Sequence, residues 1–195
     1  QMEQERVTGL IVEWLGVERE REPFTVVALE QKQTVEIGGL QLDIVADRVD
    51  RLEDGSNLII DYKTGKHLTH KGWFEERIEE PQLPLYATTN AADVSGVFLA
   101  GVSRANMKFV GVSEVGGLVP GIKAFADSRE AADHADWDGL RRDWQERLQL
   151  LATEILQGQA GVRPKNRAKD CLYCPLPTLC RIDEQDAIDS GEGSQ

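Results

Sequence analysis

Residues 39–65, GLQLDIVADRVDRLEDGSNLIIDYKTG, decide how this chain is read. Two strand-like runs, 40–52 and 57–64, flank the turn-forming cluster Glu53-Asp54-Gly55-Ser56, which is the pattern of a β-hairpin. Side chains alternate between the faces of a strand, so Asp61 and Lys63 leave the same face. Tyr62 points the other way, with its carbonyl lying between them. Centring the turn near Asp54 sets Asp47 roughly opposite Asp61, within cross-strand reach. Two carboxylates, one carbonyl and one ammonium then share a single patch. Such oxygens suit Mg²⁺ or Mn²⁺, which take one or two carboxylates plus waters and substrate phosphate. The cation would polarise a phosphate and acidify a bound water, while Lys63 would orient that water or screen developing charge. Without a cation the paired carboxylates would repel. Asp-x-Lys on an exposed strand is also a common surface ion pair. Here, though, Asp61 follows Leu58-Ile59-Ile60, as though a buried strand delivers a charged group at its end.

The surrounding segments extend the pattern. Val7, Leu10, Ile11, Trp14 and Leu15 are spaced for one face of a helix over 3–16, closed by Pro23. Two strand-like runs follow, 24–31 and 34–37, and Gly38-Gly39 leads into the quoted hairpin, so a three-strand antiparallel meander is expected. Residues 65–81 are mixed and read as a loop with a short helix. Residues 82–92 read as a helix with proline in its first turn. Strands are expected over 94–103 and 107–115. A long amphipathic helix is expected over about 136–157, with Trp137, Leu140, Trp144, Leu148, Leu151, Ile155 and Leu156 on its stripe. This gives one α/β domain over 1–162, a cysteine-bearing extension over 163–182 and an acidic, disordered tail over 183–195.

Composition sets limits on function. Apolar content of 41% and charged content of 29% belong to an ordinary globular chain. No apolar run approaches the roughly 20 residues of a membrane span, and the first residues lack a signal-peptide pattern, so the expected compartment is cytoplasmic. The formal charge of −12 argues against a general nucleic-acid binder, because phosphate neutralisation needs Lys and Arg. It leaves room for a locally basic groove beside a carboxylate-held metal. Walker-type, HExxH and GxSxG patterns do not occur in the sequence.

ADRVDRL (46–52), LIIDYKTGK (58–66) and PQLPLYA (81–87), in that order, resemble the RecB-like branch of the PD-(D/E)xK nucleases. The resemblance covers roughly 24–181. It implies a restriction-endonuclease-like core, a mixed sheet flanked by helices. It also implies that Asp47 and Asp61 are metal carboxylates, Lys63 the catalytic lysine, and the Tyr62 carbonyl a further metal ligand. Gln82 and Tyr86 match the helix motif that flanks the site and contacts substrate; packing of the helix on the sheet is an equal reading for Tyr86. Glu30 falls where related nucleases often hold another acidic residue, and a solvated strand-end glutamate is nearly as good a reading. Asp50 is expected to pair with Arg48 or Arg51, and Asp43 has no assigned role. The family's upstream histidine is missing from residues 1–23.

Cys171, Cys174 and Cys180 form C-x2-C-x5-C, a density typical of soft-metal or iron–sulfur ligation. The spacing resembles the C-terminal triad of the iron–sulfur staple in AddB-type nucleases, whose fourth cysteine lies far upstream. With three of four ligands the expected 4Fe-4S site is incomplete. Its shortfall agrees with the missing histidine, either in a truncated chain or in a member that lost both. The implied activity is Mg²⁺- or Mn²⁺-dependent hydrolysis of DNA, as an exonuclease module beside a helicase in a repair or recombination protein. Substrate would arrive as a single strand or frayed end. The rivals are a degenerate DNA-end-binding scaffold and a zinc-type interaction module built on the cysteines.

Overall fold

A computed structural model describes residues 2–89, 93–159 and 161–182. The expected acidic tail, 183–195, lies outside the described residues. The chain divides into two compact units, Gln1–Leu156 and Gln157–Gln195.

The first unit is a five-stranded mixed sheet flanked by helices, a restriction-endonuclease-like α/β fold. The order along the chain is α1 (Met2–Glu18), β1 (Phe24–Ile37), β2 (Leu40–Leu52), β3 (Asn57–Lys63), α2 (Gln82–Thr89), β4 (Val94–Ser103), β5 (Asn106–Ser113) and α3 (Trp137–Leu156). Spatial order follows chain order, β1-β2-β3-β4-β5. The first three strands are antiparallel, β3 and β4 are parallel through the α2 crossover, and β5 returns antiparallel. The two runs expected at 24–31 and 34–37 are one strand, because residues 31–37 stay in register with β2 and the intervening Lys32-Gln33 does not turn. Gly38 (φ +56) and Gly39 (φ +86) make the turn into β2. A side chain at Gly38 would meet the Gln149 carbonyl at 2.9 Å, so α3 also requires glycine there.

Burial explains the sequence pattern. The Leu58-Ile59-Ile60 run and residues 94–100 of β4 are buried on both faces, as expected of central strands covered by helices. Odd-numbered Ile59, Val97 and Leu99 face Leu83, Trp73, Leu140, Trp144 and Leu148, from α2, α3 and the short 3-10 turn Lys71–Phe74. Even-numbered Leu58, Ile60 and Phe98 face Trp14 of α1 and Phe109 of β5. The face of α1 differs from the expected stripe. Trp14 and Glu18 are buried, whereas Val7, Ile11 and Leu15 are exposed. The buried side of the helix is set by an ionic network at its end.

In that network Arg48 donates to Asp50 Oδ1 at 2.6 Å and Oδ2 at 2.9 Å, to Glu18 Oε1 at 3.1 Å and to the Tyr62 hydroxyl at 2.9 Å. Arg21 pairs with Asp50 at 2.7 Å and Glu18 at 2.8 Å, and its guanidinium stacks 3.9 Å from the Phe24 ring centre. Asp50 is therefore a structural anion on the α1 face of the sheet, as its expected pairing with Arg48 implies.

The second unit holds two short helices, α4 (Arg167–Asp170) and α5 (Pro177–Cys180). The Asn166 side chain caps α4 by accepting the Lys169 N–H at 3.1 Å. No helix among the described residues is long and apolar enough to cross a membrane.

Removing one member of a buried ionic network leaves its partners uncompensated. Arg48→Ala is expected to destabilise the fold by about 3–5 kcal/mol, measurable as a lowered urea midpoint.

Candidate active site

Pairing between β2 and β3 runs from Arg51–Asn57 to Arg48–Ile60 and ends there. One step further the same register sets Asp47 opposite Asp61. Instead of continuing the ladder, Asp47 turns its Oδ2 to the Tyr62 backbone N–H at 2.8 Å. The side chain thereby takes over a donor at the point where the strands part, and fixes the carboxylate against β3. The Tyr62 ring lies on the other face, where its hydroxyl accepts from Arg48 and its edge meets Trp14. The hairpin geometry expected from the turn at Asp54 is thus the observed one.

Asp61 is 5% exposed, and the Lys63 Nζ stands 2.7 Å from its Oδ2. The ammonium is thus the charged partner of the buried Oδ2. Burial pushes the Asp61 carboxyl above its ordinary range; Lys63 pulls it back, while the charges of Asp47 and Glu80 push it up. Burial disfavours the Lys63 ammonium, but Asp61, Glu80 and Asp47 together hold its pKa above the usual lysine value. Two carboxylates set side by side, one of them buried and with its pKa raised, form a donor set that fits a divalent cation. Among the described residues no three His, Cys, Asp or Glu side chains converge as a ready-made ligand group. Backbone, water and substrate oxygens would complete the shell of Mg²⁺ or Mn²⁺ held by Asp47 and Asp61, which is this cation's usual manner.

The QLxLY segment is α2 itself. Gln82 Nε2 donates to the Val45 carbonyl at 2.8 Å, and the Tyr86 hydroxyl donates to the Gln31 carbonyl at 3.3 Å. Both side chains therefore fasten α2 across β1 and β2, at Val45 and at Gln31, the register partner of Ala46, just before Asp47 along β2. Tyr86 is 1% exposed, and its phenol is pushed up to about 12 by burial and by the Asp47 charge. It stays neutral, a hydrogen-bond donor close enough to Asp47 to feel its field.

Glu30 lies between Leu29, paired with Arg48, and Gln31, paired with Ala46, so it stands beside Asp47 along the edge strand. It is exposed and adopts φ +48. Glu80, overlooked in the sequence reading, adopts φ +50 immediately before α2 and acts electrostatically on both Asp61 and Lys63. Left-handed backbone at a residue with a side chain costs on the order of 1–3 kcal/mol, and both non-glycine instances among the described residues of the first unit border this site. Glu80's position two residues before Gln82 was the available signal. Asp43 accepts from Thr34 Oγ1 at 2.7 Å on an exposed face, away from the cluster.

The three cysteines are free thiols. They belong to the second unit and do not form a metal-holding group among the described residues, so the thiols as placed do not fit an iron–sulfur cluster.

Replacing a carboxylate whose pKa is raised removes a charge that the fold disfavours at neutral pH. The raised group contributes stability below the unfolded carboxylate value and loses it as pH rises through the folded value. Asp61→Asn should therefore melt no lower than wild type at pH 7, with any gain vanishing near pH 4. Added Mn²⁺ should raise the melting temperature of wild type and leave Asp61→Asn unmoved, as followed by differential scanning fluorimetry.

Six chains of solved structures match, among them the one titled "Crystal structure of SSO0001", with 18% identity and a TM-score of 0.38 over 90% of this chain and 69% of that one. No curated protein matches. The family model described as the PD-(D/E)XK nuclease superfamily matches residues 1–181. The chain belongs to the PD-(D/E)XK nuclease superfamily.

Proposed function

We propose that this protein is a Mg²⁺- or Mn²⁺-dependent deoxyribonuclease that hydrolyses phosphodiesters at the Asp47–Asp61–Lys63 site. The observation that carries the reading is the placement of the buried Asp61, ion-paired with Lys63 and opposite Asp47, at the point where β2 and β3 part. Membership of a nuclease superfamily supports the same chemistry.

In this reading Asp47 and Asp61 hold the cation, Asp47 being held in place by the Tyr62 N–H. The bound cation supplies Lewis acidity toward the scissile phosphate and a water acidified toward neutral pH. The Tyr62 carbonyl is a further ligand in the proposal, and Glu30 one reached directly or through water. Lys63, kept charged by its acidic neighbours, orients the attacking water or donates toward charge that develops on the phosphate oxygens. Gln82 and Tyr86 keep α2, and with it the Glu80 turn, set against the strands that carry the carboxylates.

We further infer that the substrate is DNA presented as a single strand or frayed end, cut exonucleolytically. The protein would serve as a RecB/AddB-like cytoplasmic module that works with a helicase in repair or recombination. The order of the three sequence motifs supports this narrower assignment. An iron–sulfur cluster has no part in the proposed chemistry.

The test is cleavage of end-labelled single- and double-stranded DNA with Mg²⁺ or Mn²⁺. Wild type should degrade DNA in a metal-dependent way, and Lys63→Ala should lose at least about a hundredfold in rate at unchanged folded concentration. No cleavage by folded wild type would overturn the enzyme reading in favour of a DNA-end-binding scaffold.

A further inference from the structure

A chain with 34 acidic and 22 basic residues should repel a polyanion, so the distribution of its cations matters. Two segments break the overall balance. Residues 62–74 and 101–108 contain Lys63, Lys66, Lys71, Arg104, Lys108 and two histidines, and no acidic residue. At the chain's average, 21 residues would carry about four acids. Burial does not explain the lack, because Thr64–His67, Arg104 and Lys108 are exposed.

The fold brings the two segments together at one end of the sheet. β3 and β4 run parallel, so the loop leaving Lys63 and the hairpin between β4 and β5 emerge at the same end. Lys63 is in register with Gly101, and Gly101 with Lys108, which places both lysines on the α2 face of the sheet, two strand spacings or about 10 Å apart. Gly101 between them lies under Leu68, whose Cδ2 would stand 2.9 Å from a side chain there. The Asn106 amide ties the hairpin to the loop, donating to the Lys66 carbonyl at 2.6 Å and to that of Gly65 at 3.4 Å. Lys66, Arg104 and Lys108 have no ion pair with an acidic side chain among the described residues. Three uncompensated cations on a braced loop and hairpin thus continue outward from the catalytic lysine of the proposed site.

We propose that Lys66, Arg104 and Lys108 form a phosphate-binding track for a nucleic-acid strand that leads to the Asp47–Asp61–Lys63 site. This rests on the proposed nuclease reading and names the path that substrate takes. The recognised chemistry is a run of backbone phosphates. The distance from Lys63 to Lys108 spans about three nucleotides at the roughly 3.4 Å rise of a duplex strand, and fewer where the strand is extended. Acidic residues are absent from both segments while exposed cations are kept there, so a polyanion meets local positive charge beside the site on a protein whose net charge is −12.

The test is binding of a labelled single-stranded oligodeoxynucleotide by fluorescence anisotropy, in EDTA so that no cleavage occurs, over a range of salt. Wild type is compared with Lys66→Ala/Arg104→Ala/Lys108→Ala and with a charge-matched control, Arg19→Ala/Lys123→Ala/Arg142→Ala. Each lost phosphate contact removes about 0.7 from the slope of log affinity against log salt. The track variant should therefore flatten the slope by about two and bind about a hundredfold more weakly at 0.1 M salt, while the control stays near wild type. Lys66→Arg/Arg104→Lys/Lys108→Arg, which keeps every charge, should retain binding. Equal slopes and affinities for wild type and the track variant would overturn the track, as would equal losses in the control. Cleavage is read separately: a wild type that binds through the track but never cuts would sink the nuclease reading and leave the track standing.

Discussion

The rest of the site depends on one constraint, the burial of Asp61 at the end of a central strand directly opposite Asp47. Two anions set side by side away from water are unfavourable, and the surrounding structure offsets this in several ways. A backbone N–H takes one oxygen of Asp47. An ammonium stands against Asp61. Further carboxylates, Glu30 and Glu80, border the cluster rather than entering it, each on a strained backbone segment. What remains after these compensations is two carboxylates against one ammonium, an excess of negative charge that a divalent cation relieves.

Strand alternation separates that arrangement from a second ionic system. Along β2, Asp47 faces α2, while Arg48 and Asp50 face α1. Along β3, Asp61 and Lys63 face α2, while the Tyr62 hydroxyl joins Arg48. The DRVD phrase thus serves two sides of one sheet. Its first aspartate belongs to the cluster that could hold a metal, and its second is a fully buried counter-ion that docks the end of α1. Neither system tolerates a one-residue slip in register, because that would exchange the two faces.

The electrostatics divide along the sheet in a similar way. The overall charge is strongly negative, yet residues 64–74 after β3 and the β4–β5 hairpin are free of acids and carry exposed cations. The parallel β3–β4 pair is what allows segments so far apart in sequence to emerge side by side. An antiparallel pair would have sent the hairpin to the opposite end.

The sequence by itself determined the hairpin, its register and the Asp47–Asp61–Lys63 patch, because a turn centre and the period of two are enough to say which side chains share a face. It also determined the buried strands β3 and β4 and the first part of the α3 stripe, Trp137, Leu140, Trp144 and Leu148. Ile155 and Leu156, expected on that stripe, are exposed because the last turn of the helix runs past the sheet's cover. It marked Asp50 as an ion-pair partner rather than a ligand. Tertiary structure decided what local periodicity cannot encode. The inward face of α1 is set by a salt-bridge network reaching Arg48, thirty residues from Glu18. The hydrogen bonds of Gln82 and Tyr86 to β2 and β1 depend on where the crossover helix lands. The field of Glu80 at Asp61, and the meeting of Lys66 with the Arg104 hairpin, come from strands packed across the sheet. Contacts of this kind are long-range, and no local pattern in the chain specifies the distance over which they close.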